Sequence, residues 1–527
     1  MATSYDAIII GAGHNGLVTA ACLAKKGWRV LVLERRPLVG GCCVTEELWP
    51  GFKVSTAAYV NSLLRPEIIR DLELKKHGFQ MLPRNPSSFT PFPDGRSLLM
   101  GPDAALTHRE ISKFSKKDAE QLPRYEQMLL RAASFLEPML METPPDPWSN
   151  HPGDVFKLGR LAWKFRSLGR DGAQVVEILT GAASPILDRW FESEELKVTL
   201  ATDAVIGAAA SPSMPGTAYV LFHHVMGECD GARGVWGYVR GGMGGISQAL
   251  AAAAQSYGAK IRCEAAVDRI LLRSGQVIGV ALASGEEIAA PRVASCVDAK
   301  TTFLRMLQES DLPPDFREAV AHIDYTSMTV KINVALDAVP NFKAAPSERI
   351  APHHHGTIHL APDRDFIERA YDEAKHGRPA SQPMIECTLP TALDDSIAPP
   401  GKHLMGMFVQ YVPPVGKGPA WDADAFAQRC FDIVEDYAPG FKKSILHYQV
   451  LPPAELERIF GLTGGNIMQG AMNLNSLFFM RPVPGYAKYR TPVPGLYLCG
   501  AAAHPGGGVM GAAGWNAARA MVQDGRR

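Results

Sequence analysis

The chain predicts an α/β fold: a Rossmann-like, three-layer dinucleotide-binding domain with a parallel sheet and a β-meander, joined to a second α+β domain that carries a helical insertion. Three observations lead there. A strand, glycine loop, helix and strand fill the first fifty residues. A second strand, glycine loop and helix close the chain. Between them, helical periodicity gives way to short strands separated by turn dipeptides. At 527 residues the chain exceeds what one hydrophobic core organises, so two or more structural units are expected.

Tyr5 to Ile10 is an apolar run long enough for a buried strand. Gly11-Ala12-Gly13-His14-Asn15-Gly16 follows, Leu17 to Lys26 reads as a helix, and Arg29 to Leu33 is a second apolar run closed by Glu34. This is G-x-G-x-x-G in its strand–helix–strand context, with an acid 23 positions after the first glycine. Gly11 makes the tight turn, Gly13 admits a pyrophosphate, and Gly16 lets helix and sheet approach. The helix N-terminus offers free N–H groups and partial positive charge to phosphate. Glu34 can accept hydrogen bonds from a ribose diol, and its charge disfavours a 2′-phosphate.

After Glu34, Arg35 leads to Gly40-Gly41, where a loop can pass close to a cofactor. Cys42 and Cys43 read as small buried packing residues, with a covalent cysteinyl–flavin link as the alternative. Ser55 to Ala58 are small enough to lie against a flat ring. From about Pro66 to Val235 the pattern turns mostly helical. Ser115 and Asp118 form a helix cap, and Tyr125, Met128, Leu129, Ala132, Leu136, Met139 and Leu140 recur at helical spacing. Further helical patterns run through 156–187 and 194–208. This insertion reads as core, with an apolar substrate cavity or a membrane-facing surface as the sharper alternatives.

Arg240 to Gly245 is another glycine loop before a helix, Ile246 to Ser256. It lacks a clean apolar strand before it and an acid after it, so it is not read as a second dinucleotide site. Lys260–Cys263 reads as a strand, residues 266–290 as a three-stranded meander, and Pro291–Val297 as one more buried strand. Ser327–Asp337, Met384–Leu389 and His403–Tyr411 read as strands of a sheet that roofs a pocket. Adjacent histidines at 353–355 and 223–224 point in different directions, so no metal site is assigned. Gly495 to Gly500 is a strand ending in glycine. A loop through His504-Pro-Gly-Gly-Gly508 and Gly511 follows, then a helix from Trp515 to Val522. This second loop can complete the first nucleotide site.

Lys plus Arg equals Asp plus Glu at 54 each, which argues against nucleic acid as a partner. Nine scattered cysteines contain no C-x-x-C, so neither a dithiol redox motif nor a zinc ribbon is expected. The N-terminus shows no secretory signal, and no apolar run is long enough to span a bilayer. A cytoplasmic protein is expected, with peripheral membrane attachment left open.

The two ends together resemble the phytoene desaturase-type FAD oxidoreductases, within the wider group of amine oxidases and retinol saturase. The resemblance is nearest to the branch named for pyridine nucleotide-disulfide oxidoreductase domain-containing protein 2. It rests on Gly-Ala-Gly-His-Asn-Gly-Leu at 11–17, Gly-Gly-x-x-Val-Thr-Glu-Glu at 40–47, Pro-Gly-Phe-Lys at 50–53 and Ser-Leu-Leu-Arg-Pro at 62–66. Asp-Leu-Glu-Leu-Lys-Lys-His-Gly at 71–78 and His-Pro-Gly-Gly-Gly-Val-Met-Gly-Ala-Ala-Gly at 504–514 extend it. The chain departs from many of the group at Ala501, where they place an acid. The branch name implies a disulfide chemistry that the cysteines do not support.

The resemblance implies FAD rather than NAD. It implies a discontinuous FAD domain of residues 1–70, 235–305 and 485–527, with a substrate or cap domain of 71–234 and 306–484. Gly11, Gly13 and Gly16 would hold the pyrophosphate and Glu34 the ribose, with Asn15, Arg35, Gly41 and Cys42 beside the cofactor. Val267 would meet the adenine, and Gly500, Met510 and Gly511 the ribityl chain and ring. His504 belongs to the same loop, with the role of fixing it by backbone hydrogen bonds. The implied activity is hydride transfer between flavin and a hydrophobic substrate: a polyene, lipid or amine. A flavin-bearing interaction protein with little turnover and a polyene isomerase are the alternatives. With one nucleotide site, the electron acceptor is expected to be oxygen, a quinone or another protein. No catalytic acid or base is assigned.

Overall fold

The computed structural model describes residues 5–525. Two sheets organise them. The first is a five-stranded parallel sheet in the order Lys260–Arg262, Val30–Leu33, Ala7–Ile10, Val293–Ser295, Leu496–Leu498. Its three central strands are buried apolar runs, as a parallel sheet covered on both faces requires. Ala7–Ile10 has Val30–Leu33 on one side and Val293–Ser295 on the other. The turn at Gly11 therefore opens at a topological switch point, where the carboxyl ends of adjacent strands diverge.

Three helices rich in small residues pack together on this sheet: His14–Ala24, Gly244–Ser256 and Ala512–Gly525. The antiparallel meander of Val267–Arg273, Gln276–Leu282 and Glu287–Ala289 shares their core through Ile270, Val280 and Leu282. The fold class is the one expected from the sequence.

The second sheet has seven strands, in the order Ile445–Leu451, Thr329–Leu336, His403–Gln410, Met384–Thr388, Thr357–Leu360, Ser88–Pro91, Ser97–Met100. All neighbours are antiparallel except Thr357–Leu360 with Ser88–Pro91. The strands alternate strictly. Val330, Ile332, Val334, Ile385, Cys387, Met407 and Val409 face the helix Ala423–Tyr437 and form one core. Lys331, Asn333, Glu386, Thr388 and His359 fall on the opposite face, yet they too are buried. Alternation of this kind normally marks a sheet with one wet face. Here the polar face is covered by the rest of the molecule.

A third core belongs to the helical insertion, where Lys116–Leu140 packs with Asp171–Thr180, Ala183–Trp190, Glu194–Asp203 and Thr217–Val225. Ser115 caps its long helix as the spacing predicts, its Oγ accepting from the Asp118 N–H at 3.0 Å. Three details differ from the sequence reading. The 156–187 pattern is broken into Pro152–Ser167, Asp171–Thr180 and Ala183–Trp190 by Gly169, at φ +56°, and Gly181. The hairpin Ser88–Met100 interrupts the helical region and joins the second sheet; its Asp94-Gly95 turn was the signal. The last helix starts at Ala512 because Gly514 lets it press on the first helix: a Cβ there would lie 2.1 Å from the Asn15 carbonyl oxygen. Among the described residues, no helix is long and apolar enough to cross a membrane.

Candidate active site

The first glycine turn is built by close packing. Gly11 has φ +92° and donates its N–H to the Leu33 carbonyl at 2.8 Å. A Cβ on Gly16 would stand 2.2 Å from the Gly11 carbonyl oxygen, so only glycine lets the helix start here. The N-cap Gly13 offers no side chain to the helix His14–Ala24, and of its first-turn amides Gly16 N–H is taken by Cys296 Sγ at 3.1 Å. Gly11, Gly13, His14 and Asn15 line a cavity of about 1250 Å³. A helix N-terminus that lines a cavity suits an anionic group such as a pyrophosphate. The loop at 240–245 is the contrast: Thr45 Oγ1 accepts from Gly244 N–H and Ser55 Oγ from Met243 N–H, both at 2.9 Å. That helix start is filled by protein.

Glu34 lies at the same cavity and is only 5% exposed. Its Oε2 accepts from Ala12 N–H at 2.8 Å and its Oε1 from Arg36 N–H at 3.0 Å. Each oxygen keeps acceptor capacity for a diol. Gly41, at φ +58°, comes so near that its Cβ would be 3.3 Å from Gly13 Cα. Arg35 lines the wall while its Nη2 donates to the Ile459 carbonyl at 2.6 Å. Cys42 and Val267 also line it. Burial pushes the Cys42 thiol up to about 12, and the residue packs beside Leu451, Leu456 and Leu462. It is a packing residue rather than a thiolate.

The C-terminal loop meets this cavity from the other side, but not at every residue expected. Ala501, Gly507, Gly508 and Val509 line it. Gly500 stands behind, where a Cβ would lie 2.3 Å from the Cys296 carbonyl oxygen. Met510 and Gly511 are off the lining: Met510 is buried in the helical core, and a Cβ on Gly511 would meet Ile68 at 2.8 Å. The chain turns at Gly506 and Gly508, with φ of +111° and +118°, so the backbone facing the cavity lies earlier in the loop than the motif implied. His504 also stands apart. It is 1% exposed, its Nε2 bonds the Met139 carbonyl at 2.9 Å, and it faces a small separate cavity beside Phe135 and Phe478. Its loop-fixing role is the geometry observed.

Beyond the glycine turns the cavity runs between Leu122, Leu129, Ile206, Leu221, Phe408 and Met468. Several ionisable residues that motif reading passed over also line it: Tyr59, Arg84, Asp203, His223, His359 and Glu386. His223 lies against the C-terminal loop, its Nε2 2.8 Å from where a Cβ on Gly508 would sit. Burial, then the neighbouring His224, holds its pKa down to about 3, so it is neutral. Burial likewise holds His14 and His359 down to about 4. Burial and the Asp203 carboxylate push Glu386 up to about 8, against the Arg84 charge. Alternation in Ile-Glu-Cys-Thr and Ile-His-Leu puts Glu386 and His359 on the face away from the aliphatic core, and only the structure shows that this face too is buried.

A helix N-terminus with a diol acceptor at its side leads into a large and mainly apolar cavity under the second sheet, an arrangement that suits a nucleotide cofactor beside an apolar substrate. The glycines that line the cavity at 11 and 13 and the Glu34 acceptor beside them fit a dinucleotide. The chain belongs to the flavin containing amine oxidoreductase family, whose profile matches residues 16–522, and it is an FAD-dependent oxidoreductase. It is 48% identical over 543 residues to pyridine nucleotide-disulfide oxidoreductase domain-containing protein 2 of Rattus norvegicus, covering 99% of this chain and 94% of that protein. It is 23% identical to the lycopene-forming phytoene desaturase of Pseudescherichia vulneris, over 96% of both. A putrescine oxidase bound to putrescine shares the fold, with a TM-score of 0.62 and 16% identity over the whole of both chains.

Proposed function

We propose that this protein oxidises a largely apolar small molecule by hydride removal at the flavin. The observation that carries this reading is one continuous cavity, lined at one end by Gly11, Gly13 and Glu34 and at the other by apolar side chains of the helical insertion and the second sheet. Its volume, about 1250 Å³, is above the usual 300–1,000 Å³ of a single-ligand site, which suits a cofactor and a second molecule. Bound FAD supplies a two-electron acceptor. A hydride leaves a substrate C–H bond and a proton leaves the adjoining atom. The proton leaves to bulk water; His223, held down to about 3 by burial, is too weak a base to keep it. The apolar walls exclude water from the hydride exchange. With one nucleotide cradle, the electrons pass onward to oxygen, a quinone or a partner protein. The test is anaerobic titration of the yellow holoprotein with polyenes, monoterpenes and alkylamines. Bleaching of the flavin band by one of these supports the reading; a colourless protein that ignores added FAD overturns it.

The same reading extends to where such substrates come from. The helix Pro152–Ser167 leaves Phe156 72% and Trp163 73% exposed, with Val155 and Trp148 also outward. Arg160, Lys164 and Arg166 surround them, while the buried Asp154 anchors the helix to Lys488. Aromatics beside basic residues suit an anionic bilayer. Cosedimentation with phosphatidylserine vesicles, weakened by salt and by Trp163→Ser with Phe156→Ser, is the expected result. A concentration-dependent dimer that buries this helix, without vesicle binding, would count against it.

A further inference from the structure

The strand register places Lys331, Phe408, Glu386 and His359 in one row across four neighbouring strands of the second sheet. This row looks away from the aliphatic core of that sheet, and Phe408, Glu386 and His359 line the cavity. Tyr59 completes the group from the FAD side. Its ring lies 5.6 Å from Phe408, and the Lys331 ammonium sits 5.5 Å over its ring. Arg84, 4% exposed, donates Nη1 to Thr357 Oγ1 at 2.5 Å and stands over Tyr238. Asp203, at the end of Glu194–Asp203, closes the group.

Arg84 Nε and Tyr238 OH have no hydrogen-bond partner, and two atoms on the cavity row share that state. Glu386 Oε2 and His359 Nδ1 are fully shielded and bond to nothing, although their residues are 6% and 4% exposed. Leaving such atoms unpaired in a buried place is costly. Apolar side chains in the same places would line an apolar cavity without that cost. Both atoms belong to residues lining the space a substrate would occupy.

Resting on the oxidoreductase reading above, we infer that Glu386 and His359, with Arg84 and Tyr59 behind them, hold an uncharged oxygen function, a hydroxyl or a carbonyl, on an otherwise apolar substrate. Charge balance selects the neutral head. The Arg84 cation and the Asp203 carboxylate act on Glu386 with opposite sign. Burial favours a protonated Glu386 and a neutral His359, and it holds Lys331 down to about 7. Lys331 and Glu386 together then carry about one proton between them, which sums to zero charge wherever it resides. A bound ammonium or carboxylate would stay uncompensated in a buried place. A hydroxyl can accept from a protonated Glu386 and donate to His359, and a ketone uses the first of these alone.

The test uses FAD-loaded protein and four probes of one carbon skeleton: farnesene, farnesol, farnesylamine and farnesoic acid. Dissociation constants come from perturbation of the flavin absorbance band. Farnesol is expected to bind about tenfold more tightly than farnesene, as one or two net hydrogen bonds allow. Glu386→Leu and His359→Leu should each shrink that ratio towards one while leaving farnesene binding unchanged. Glu386→Gln, which keeps a donor and the shape, should retain most of it and controls for folding. Equal binding of alcohol and hydrocarbon, tightest binding of the amine or acid, or an unchanged ratio in both leucine variants overturns the inference. Those outcomes in a protein that still carries reducible flavin sink only this head-group site. Failure to load flavin sinks the underlying reading instead.

Discussion

Glu34 shows how one side chain serves fold and ligand together. Its carboxylate already holds two backbone amides, of Ala12 and Arg36, before any ribose arrives. Glu34→Ala should therefore lower stability by about 1–3 kcal/mol as well as flavin content, because both amides lose their partner; denaturant midpoints with and without FAD separate the two effects. Gly16→Ala drives a methyl against the Gly11 carbonyl, and overpacking of this kind costs about 1–3 kcal/mol. Its holoprotein should bleach in heat before the parent's. The buried histidines also set a pH dependence. His14, His223, His359 and His504 are held neutral by burial, each to about 3 or 4, while an unfolded histidine titrates near 6.5. Below pH 6.5 the unfolded chain binds protons that the folded one refuses, so stability falls as pH drops. Each group adds about 1.4 kcal/mol per pH unit in that window. Urea midpoints between pH 7 and 5 should track this, and His359→Leu should flatten the slope.

Among the elements, the two glycine loops differ in what their sequences disclosed. The N-terminal unit is local: strand, turn and helix are contiguous, so spacing alone located Gly11, Gly13 and Glu34. The C-terminal loop bends at Gly506 and Gly508 under contacts from distant segments, which moved its lining to Ala501 and Gly507–Val509 and left Met510 and Gly511 in the core. Arg481 holds that geometry. It is 3% exposed and donates to five carbonyls at 2.7–3.2 Å: those of Ala501, Met468, Gln469, Ala471 and Ser476. It thus ties the end of the last strand to the 468–476 segment with a charge but no carboxylate. Hydrogen bonds from a charged donor are each worth about 1.5–3 kcal/mol, though not additively. Arg481→Met should cost more than about 3 kcal/mol and release flavin on dilution, read by fluorescence of the freed cofactor.

Across the whole molecule, the cavity is made by two sheets that never pair with one another. The FAD-binding half contributes the cradle and Tyr59; the second sheet contributes Glu386, His359 and Phe408; the helical insertion contributes Leu122, Asp203 and His223. Binding FAD should therefore stabilise the entire chain, by about 2.7 kcal/mol at a hundredfold excess over its dissociation constant. A single cooperative thermal transition that rises with FAD is the expected record, and two transitions with only one responding would contradict it. The sequence by itself determined the strand–turn–helix cradle, the acid at its rim, the FAD family and the roofing strands, since each depends on short-range periodicity and on residue types that one turn can accept. It could not show that Glu386, His359, Asp203, Arg84 and Tyr59 meet. They are spread over more than three hundred positions, and an alternating strand reads the same whether its polar face looks at water or into a closed cavity. Tertiary packing alone decided that, because covering the second face of a sheet is a property of what lies opposite it.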